Sequence, residues 1–596
     1  MEEGCTPSAK GHTTGKLEDV ESAKISSVQM HENITVDGSE TQESQELPFK
    51  LTPHLALTVL GLGVAFTASQ IVNFLFVGVI STISLDLNAG SSAIWLFLAP
   101  LVAVGASCPF IGPSADIFGI KRVTLFGTGL SVVAMILCGT TKNAAGYIAG
   151  QALAGIGLAC QELMAVAAVA ELVPASQRGR YMGWGLCVFL PLAPSPFFSQ
   201  KIAAHNWRWS CVFVGGWNVL TFIVIGLFFK PAKIRGSPTV VGKKSLTTAL
   251  KEVAKIDIFG GLLLSAGSVL FLIGLNFGGI VHPWRSAATL VPLLFGVGLL
   301  AFFVVWEFYL VKVPLFPRRM VLSKRVFVSV ILIISVANLG AMSATLFWPM
   351  QTTSVYGATH TDNSLYTLPF TFCVIGGSAI SSFLISIFKN HVKVVMFCCC
   401  ALQAIGMGCM AAISPNNINT AWAPLILGLL GSGGTNIPNQ IILTLVTPDD
   451  MVPTATALSV TIRILFLSIG VSIFQNRFLT EVTKNASQYI VPAAIRVGIF
   501  DPQAIMQLIS SVTAVPLEQY VALYLPEVDS AEKYQVLLVA VRTAFSRSFQ
   551  MLYYLTIPFS VVACIGCFCV GDLTRFMDDH VAMTLDDADV DGEHDK

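Results

Sequence analysis

The chain has 596 residues, 54% of them apolar and only 12% charged, where an ordinary soluble domain carries roughly 25%. Its 35 Lys and Arg balance 35 Asp and Glu, so no net charge argues for a nucleic-acid partner, and no His or Cys spacing suggests a metal. The composition is that of a membrane protein.

Residues 1–50 are polar, rich in Glu, Ser and Thr, and hold no apolar run. They read as a disordered cytoplasmic tail, and no cleavable signal peptide precedes the first span. A helix needs about 20 mostly apolar residues to cross a bilayer. Fourteen stretches qualify: 55–80, 92–112, 123–140, 145–172, 181–200, 209–229, 258–280, 287–310, 326–350, 363–388, 393–413, 420–443, 453–475 and 549–571. An even number places both termini on one side of the membrane. The short loops on that side hold eighteen Lys and Arg, and the opposite loops hold four, Lys142, Lys201, Arg208 and Arg285. That bias puts both termini in the cytoplasm.

Long connections divide the chain into a six-helix bundle (51–230), a basic cytoplasmic connector (231–256), an inserted helix pair (257–311), a second six-helix bundle (312–572) and an acidic cytoplasmic tail (573–596). The second bundle includes a long outer loop, 476–548, containing the glycosylation spelling Asn485-Ala486-Ser487.

Ionisable groups inside spans are costly and mark function by default. Glu162 lies seventeen residues into the fourth span, about 25 Å along a helix at about 1.5 Å per residue. Gln151, eleven residues earlier, is about three turns away on the same face. Together they read as a polar stripe on a proton or substrate path, against the alternative of an interhelical hydrogen bond. Arg463 sits near the middle of the thirteenth span. There it needs a carboxylate, carbonyls or water, in a binding cavity, in a lock between bundles, or as a packing residue.

Gly112 and Gly119 permit close approach of two helix ends, Asp116 can pair with a cation or cap a helix, and Lys121 with Arg122 mark an inside loop. Glu171, Arg178 and Arg180 fall on the same side. The two clusters read as a charge network that closes a cytoplasmic gate in one state and breaks in another. Pro191, Pro194 and Pro196 predict a kinked fifth span. Gly428, Gly431, Gly433, Gly434 and Pro438 predict close packing or breakage in the twelfth. An enzyme reading lacks a base, since all nine His fall in tails, loops or helix ends. Gly155-Ile156-Gly157 lies inside a span with no strand before it, so it is not a nucleotide site.

The stretch Gly112 to Arg122 resembles the loop between spans two and three of the major facilitator superfamily, written G-x-x-x-D-R/K-x-G-R/K-R/K, with Ile117 where that pattern prefers a cation. Other segments look like the fungal trichothecene efflux pump family: Ala168 to Gly179, Asn206 to Trp209, Asp257 to Gly261 with His282 to Trp284, Thr447 to Asp450 with Ala455 to Arg463, Gln488 to Ala494 and Met577 to Ala582. The resemblance covers about residues 50–585. It implies an all-α polytopic membrane protein of the major facilitator fold, with two six-helix bundles, an inserted pair and 14 transmembrane helices. It also implies a monomer in the plasma membrane that exports small hydrophobic substrates, such as secondary metabolites, mycotoxins or drugs, by proton antiport. Such a transporter uses the proton gradient and no cofactor. Gln151 stands where many drug:proton antiporters carry Arg, and Ala68 where relatives place Asp. The alternatives are a ferric-siderophore uptake symporter, which shares the span count and long outer loop, and a non-transporting membrane receptor.

Overall fold

The computed structural model describes residues 52–229 and 257–577, apart from a few short stretches, together with 232–234 and 583–585. The expected tail 1–50, most of the connector 231–256 and most of the tail 573–596 lie outside the described residues. Strand structure among the described residues is a short antiparallel pair, Ala232–Ile234 with Met583–Leu585.

Apolar runs fold as helices because, within a bilayer, backbone N–H and C=O groups must be satisfied inside the segment. Twelve helices among the described residues are long and apolar enough to cross a membrane. Two further long helices, Lys324–Tyr356 and Asn419–Leu445, lie between them in the chain. Glycines and Asn436 dilute the apolar content of the second. The proline-rich fifth run, expected as a kinked helix, is divided into Arg178–Cys187, a turn at Leu190–Leu192, and Ser195–Ala203. Pro191 and Pro194 each lack the N–H that an unbroken helix would use.

Small residues set the packing distances. A side chain on Gly157 would overlap Ser131, so Ala144–Leu172 lies tight against Ile120–Thr140. A side chain on Gly431 would overlap the backbone at Gln403, which brings Asn419–Leu445 onto Val392–Cys409. The helices before residue 229 meet those after 324 along two seams. At one, Ala93–Phe118 crosses Val452–Asn485, and a Cβ on Gly112 would stand 2.8 Å from Thr454 Cα. At the other, Arg178–Cys187 crosses Leu368–Ile387, and a Cβ on Gly183 would stand 2.9 Å from the Phe383 ring.

Ile258–Phe277 and Ala287–Val305 pair with each other through Gly267, Gly274 and Gly296. The first of them lies on the outside of the first seam. Gly261 packs on Phe110, Ser265 donates to the Ala106 carbonyl, and Ser472 donates to the Leu275 carbonyl at 3.2 Å. Asp257 caps this helix through the Gly260 N–H and accepts from the Trp306 indole at 2.7 Å.

The expected outer loop 476–548 is mostly helix. Val452–Asn485 runs ten residues past the expected end of its span, and Ala531–Cys569 starts well before residue 549. Between them lie Val491–Val497, Pro502–Ser511 and Leu517–Tyr524. Hydropathy ends the span at residue 475 because polar residues follow. The helix continues because Phe474, Phe478, Val482, Ala486 and Ile490, four residues apart, form one buried stripe. Phe478 stacks on Phe549 at 4.9 Å between ring centroids and meets Phe347 at 5.2 Å. The same core takes in Ile505, Leu508, Tyr520 and Val541, so the outer segment is a packed cap.

Phe478→Ala should cost about 3–5 kcal/mol through lost burial and the cavity left behind. The measurement is the thermal unfolding temperature of the purified protein, which should fall well below that of the parent.

Candidate functional site

Glu162 lies on the Ala144–Leu172 helix, whose first turn is capped by Asn143 through the Gly146 N–H at 2.8 Å. Arg463 lies on Val452–Asn485, where Pro453, which has no N–H, suits the first turn, whose N–H groups would have no helical partner. The two side chains meet. Arg463 Nη2 donates to Glu162 Oε1 at 2.6 Å, and Nη1 donates to Asn436 Oδ1 at 2.9 Å. Gln70 Nε2 donates to the other carboxylate oxygen at 3.4 Å. Glu162 is 4% exposed and Arg463 8%. Four helices, two from before residue 229 and two from after 324, thus converge on one buried ion pair. Its attraction is strengthened by low dielectric, and its desolvation is offset only while every partner is in place.

Gln151 is not part of this group. Its Nε2 donates to Tyr147 Oη at 3.0 Å and lies 3.8 Å from Cys138 Sγ, inside the first set of helices. Gln151 and Glu162 share a helical face by spacing, but crossing neighbours give that face different partners at different depths. The polar residue next to Glu162 in the chain is Gln161, which donates to Asn218 Oδ1 at 2.7 Å.

The expected gate residues separate into two groups. Arg178, 4% exposed, donates to the Thr444 carbonyl at 2.8 Å and pairs with Asp449 at 3.5 Å. Asp116 accepts from Thr454 Oγ1 at 2.7 Å. Glu171 is buried within electrostatic range of Asp116, Asp449 and Arg178. These residues tie the two sets of helices together at one rim. Gly112 lets the crossing close, and Gly119, at φ 86°, makes the turn between Ala93–Phe118 and Ile120–Thr140 that a side chain would strain. Lys121 instead donates to the Gly226 carbonyl at 2.9 Å, at the last turn of Arg208–Phe228. Exposed Arg122 borders a crevice of about 460 Å³ with Ser114, Phe118 and Phe126. Arg180 contributes its backbone N–H to Ser386 Oγ at 2.9 Å.

Away from this rim, Phe74 meets Phe370 at 6.0 Å between ring centroids, a second contact between the two sets of helices. Nearby in sequence, Asp86 accepts from the Trp207 indole at 3.0 Å and pairs with Arg208 at 2.9 Å. The Trp207 hydrogen bond, with Arg208 beside it, holds the Asp86 carboxyl below the usual carboxylate range. A depressed carboxyl stabilises the fold above its unfolded pKa, and that contribution is lost as pH falls through the folded value.

The structure speaks against a glycan at Asn485. That residue is 7% exposed, and its Nδ2, the atom a glycan would occupy, donates to Ser548 Oγ at 2.9 Å. The spelling is met, but the residue lies on the buried face of a helix. Among the described residues no group of three or more His, Cys, Asp or Glu could hold a metal.

Sequence reasoning passed over Gln70, Asn436, Thr444, Asp449 and Thr454. A signal for Asn436 was present. Counted back twelve residues from Pro174 and Pro448, which close the two helices, Glu162 and Asn436 occupy the same place, and both grip Arg463.

The fold is that of major facilitator transporters: a double-tryptophan variant of XylE superposes with a TM-score of 0.51 at 12% identity, covering 88% of this chain and 97% of that one. The chain belongs to the fungal trichothecene efflux pump family, whose model matches residues 51–595. It is a multi-pass membrane protein of a transporter family, not an enzyme. The MFS-type transporter ucsD of an Acremonium species is 27% identical over 383 residues, 62% of each chain. The efflux pump dotC of Dothistroma septosporum is 25% identical over 469 residues, 77% of each.

Two outcomes test this geometry. Endoglycosidase treatment of the protein from a eukaryotic host should leave its electrophoretic mobility unchanged, as should Asn485→Gln. Arg178→Ala removes the cation that faces buried Glu171 and half-exposed Asp449 and frees the Thr444 carbonyl. It should open this rim, so that in a Ser386→Cys background a membrane-impermeant maleimide reacts several-fold faster than without Arg178→Ala.

Proposed function

We propose that this chain exports small hydrophobic or amphipathic compounds, such as fungal secondary metabolites, mycotoxins or drugs, by alternating access coupled to proton entry. The observation that carries the reading is the buried Glu162–Arg463 pair between helices on opposite sides of the seam. A proton added to Glu162 removes the charge that Arg463 neutralises, and the closed arrangement then holds an unpaired buried cation. That state relaxes by separating the helices and admitting water, which is a charge change acting on a two-state element. The name of dotC as an efflux pump favours the outward direction.

In this reading the chain crosses the plasma membrane fourteen times as six, two and six helices, within boundaries 51–230, 257–311 and 312–572. Both termini are cytoplasmic, and the rim of Asp116, Glu171, Arg178 and Asp449 is the inside gate. The protein works as a monomer, with the proton gradient as its energy source and no cofactor. Alternation between openings at the two rims requires that contacts at each rim be individually weak enough to break.

The test is retention of a trichothecene in yeast expressing the chain, with and without a protonophore. Lower retention that the protonophore abolishes is the expected result, and raised uptake of a ferric siderophore instead would overturn export. Glu162→Gln keeps size and hydrogen bonding but removes the charge. It should lower protonophore-sensitive efflux by about tenfold or more, since tenfold corresponds to only about 1.4 kcal/mol. Efflux and pH dependence like those of the parent would remove Glu162 from the coupling.

A further inference from the structure

We infer that Gln440 is a specificity-determining residue of the central site, donating a hydrogen bond to an acceptor oxygen on an otherwise apolar substrate; this rests on the export reading above. Asn436, Gln440 and Thr444 are spaced four residues apart on Asn419–Leu445, so they form one stripe. The two ends of that stripe are accounted for. Asn436 Oδ1 accepts from Arg463 at 2.9 Å, and the Thr444 carbonyl accepts from Arg178 at 2.8 Å. Gln440 lies between them, about 6 Å along the helix from each. It stands between the central ion pair and the charged rim.

Gln440 is 1% exposed, and its Nε2 has no hydrogen-bond partner among the described residues. Other buried amides differ. Gln161, Gln403 and Asn439 each donate through nitrogen to the chain and leave only an oxygen unmatched. A buried N–H donor without an acceptor destabilises the fold, and an apolar side chain of similar size would remove that cost. Its neighbours Ile441, Ile442 and Leu443 show that apolar residues suit this depth.

The equivalent place on the other helix, counted back eight residues from Pro174 as Gln440 is from Pro448, is Val166. It is apolar and 3% exposed. By that count the two helices carry an amide donor at one place and an aliphatic side chain at the equivalent one. That pairing suits an amphipathic molecule whose apolar body lies against the Val166 side while a carbonyl, ether or hydroxyl oxygen meets Gln440. A site built to hydrogen-bond one group discriminates strongly against compounds lacking it, because the donor then stays unmatched.

The experiment uses everted plasma-membrane vesicles from yeast carrying the full chain. Initial uptake rates are measured against concentration for two probes, a trichothecene, rich in acceptor oxygens, and tetraphenylphosphonium, a lipophilic cation that has none. The inference expects the parent to move both. Gln440→Leu should raise KM for the trichothecene about tenfold, equivalent to about 1.4 kcal/mol, with little change in Vmax and none in tetraphenylphosphonium transport. Gln440→Asn, which keeps the donor on a shorter arm, should lie between. Gln440→Met, unbranched and of matching length, is tested beside the Leu variant, with size-exclusion profiles confirming folding. An equal effect on both probes, or on neither, overturns the inference and leaves export standing. Transport of tetraphenylphosphonium alone by the parent does the same. Transport of neither probe by the parent overturns the export reading and the inference together.

Discussion

The Glu162–Arg463 ion pair is the constraint on which the rest of the arrangement depends. Two charges removed from water are tolerated only with good geometry and with their remaining hydrogen-bonding capacity met. Asn436 and Gln70 supply those partners, from two further helices. For Arg463 to reach a carboxylate on Ala144–Leu172, Val452–Asn485 must come close to the N-terminal helices. Gly112 allows it, since a side chain there would press on the backbone of Pro453 and Thr454. The small residues at the seams and the charges at the centre are therefore one design. A bulkier seam would hold the pair apart and leave both charges buried without compensation.

Around this centre the contacts between the two sets of helices differ in kind. One rim is polar, with Arg178 spanning Thr444 and Asp449 and with Asp116 on Thr454. Away from it the contact is aromatic, Phe74 against Phe370. Polar contacts depend on charge state and hydration, whereas aromatic contacts depend mainly on area removed from water. The unmatched amide of Gln440 lies between centre and polar rim, where a ligand would meet both.

The elements outside this core have separate physical roles. Ile258–Phe277 packs on the seam formed by Ala93–Phe118 and Val452–Asn485, while Ala287–Leu310 is largely exposed, as a helix facing lipid would be. The cap between residues 486 and 530 continues the C-terminal core through Ile490, Leu508 and Tyr520. It joins the ends of two long helices as a packed structure in place of a flexible tether.

The amino-acid sequence by itself determined the membrane class, the helical character, the run of long apolar helices, an irregularity at Pro191 and Pro194, and the candidacy of Glu162 and Arg463. Each follows from local chemistry: apolar length, proline's missing N–H, and the cost of charge in an apolar span. Only the tertiary structure decided that Glu162 and Arg463 are each other's partner, that Gln151 belongs to a different cluster, and that Arg178 closes on Thr444 and Asp449 while Lys121 caps a neighbouring helix. Hydropathy also stopped at residue 475, whereas packing against Phe549 and Phe347 carries that helix to Asn485 and buries the residue that the glycosylation spelling marks. The physical reason is common to all of these. Residues some 300 positions apart meet only once helices have crossed, and the angle of crossing depends on every small side chain along the seam.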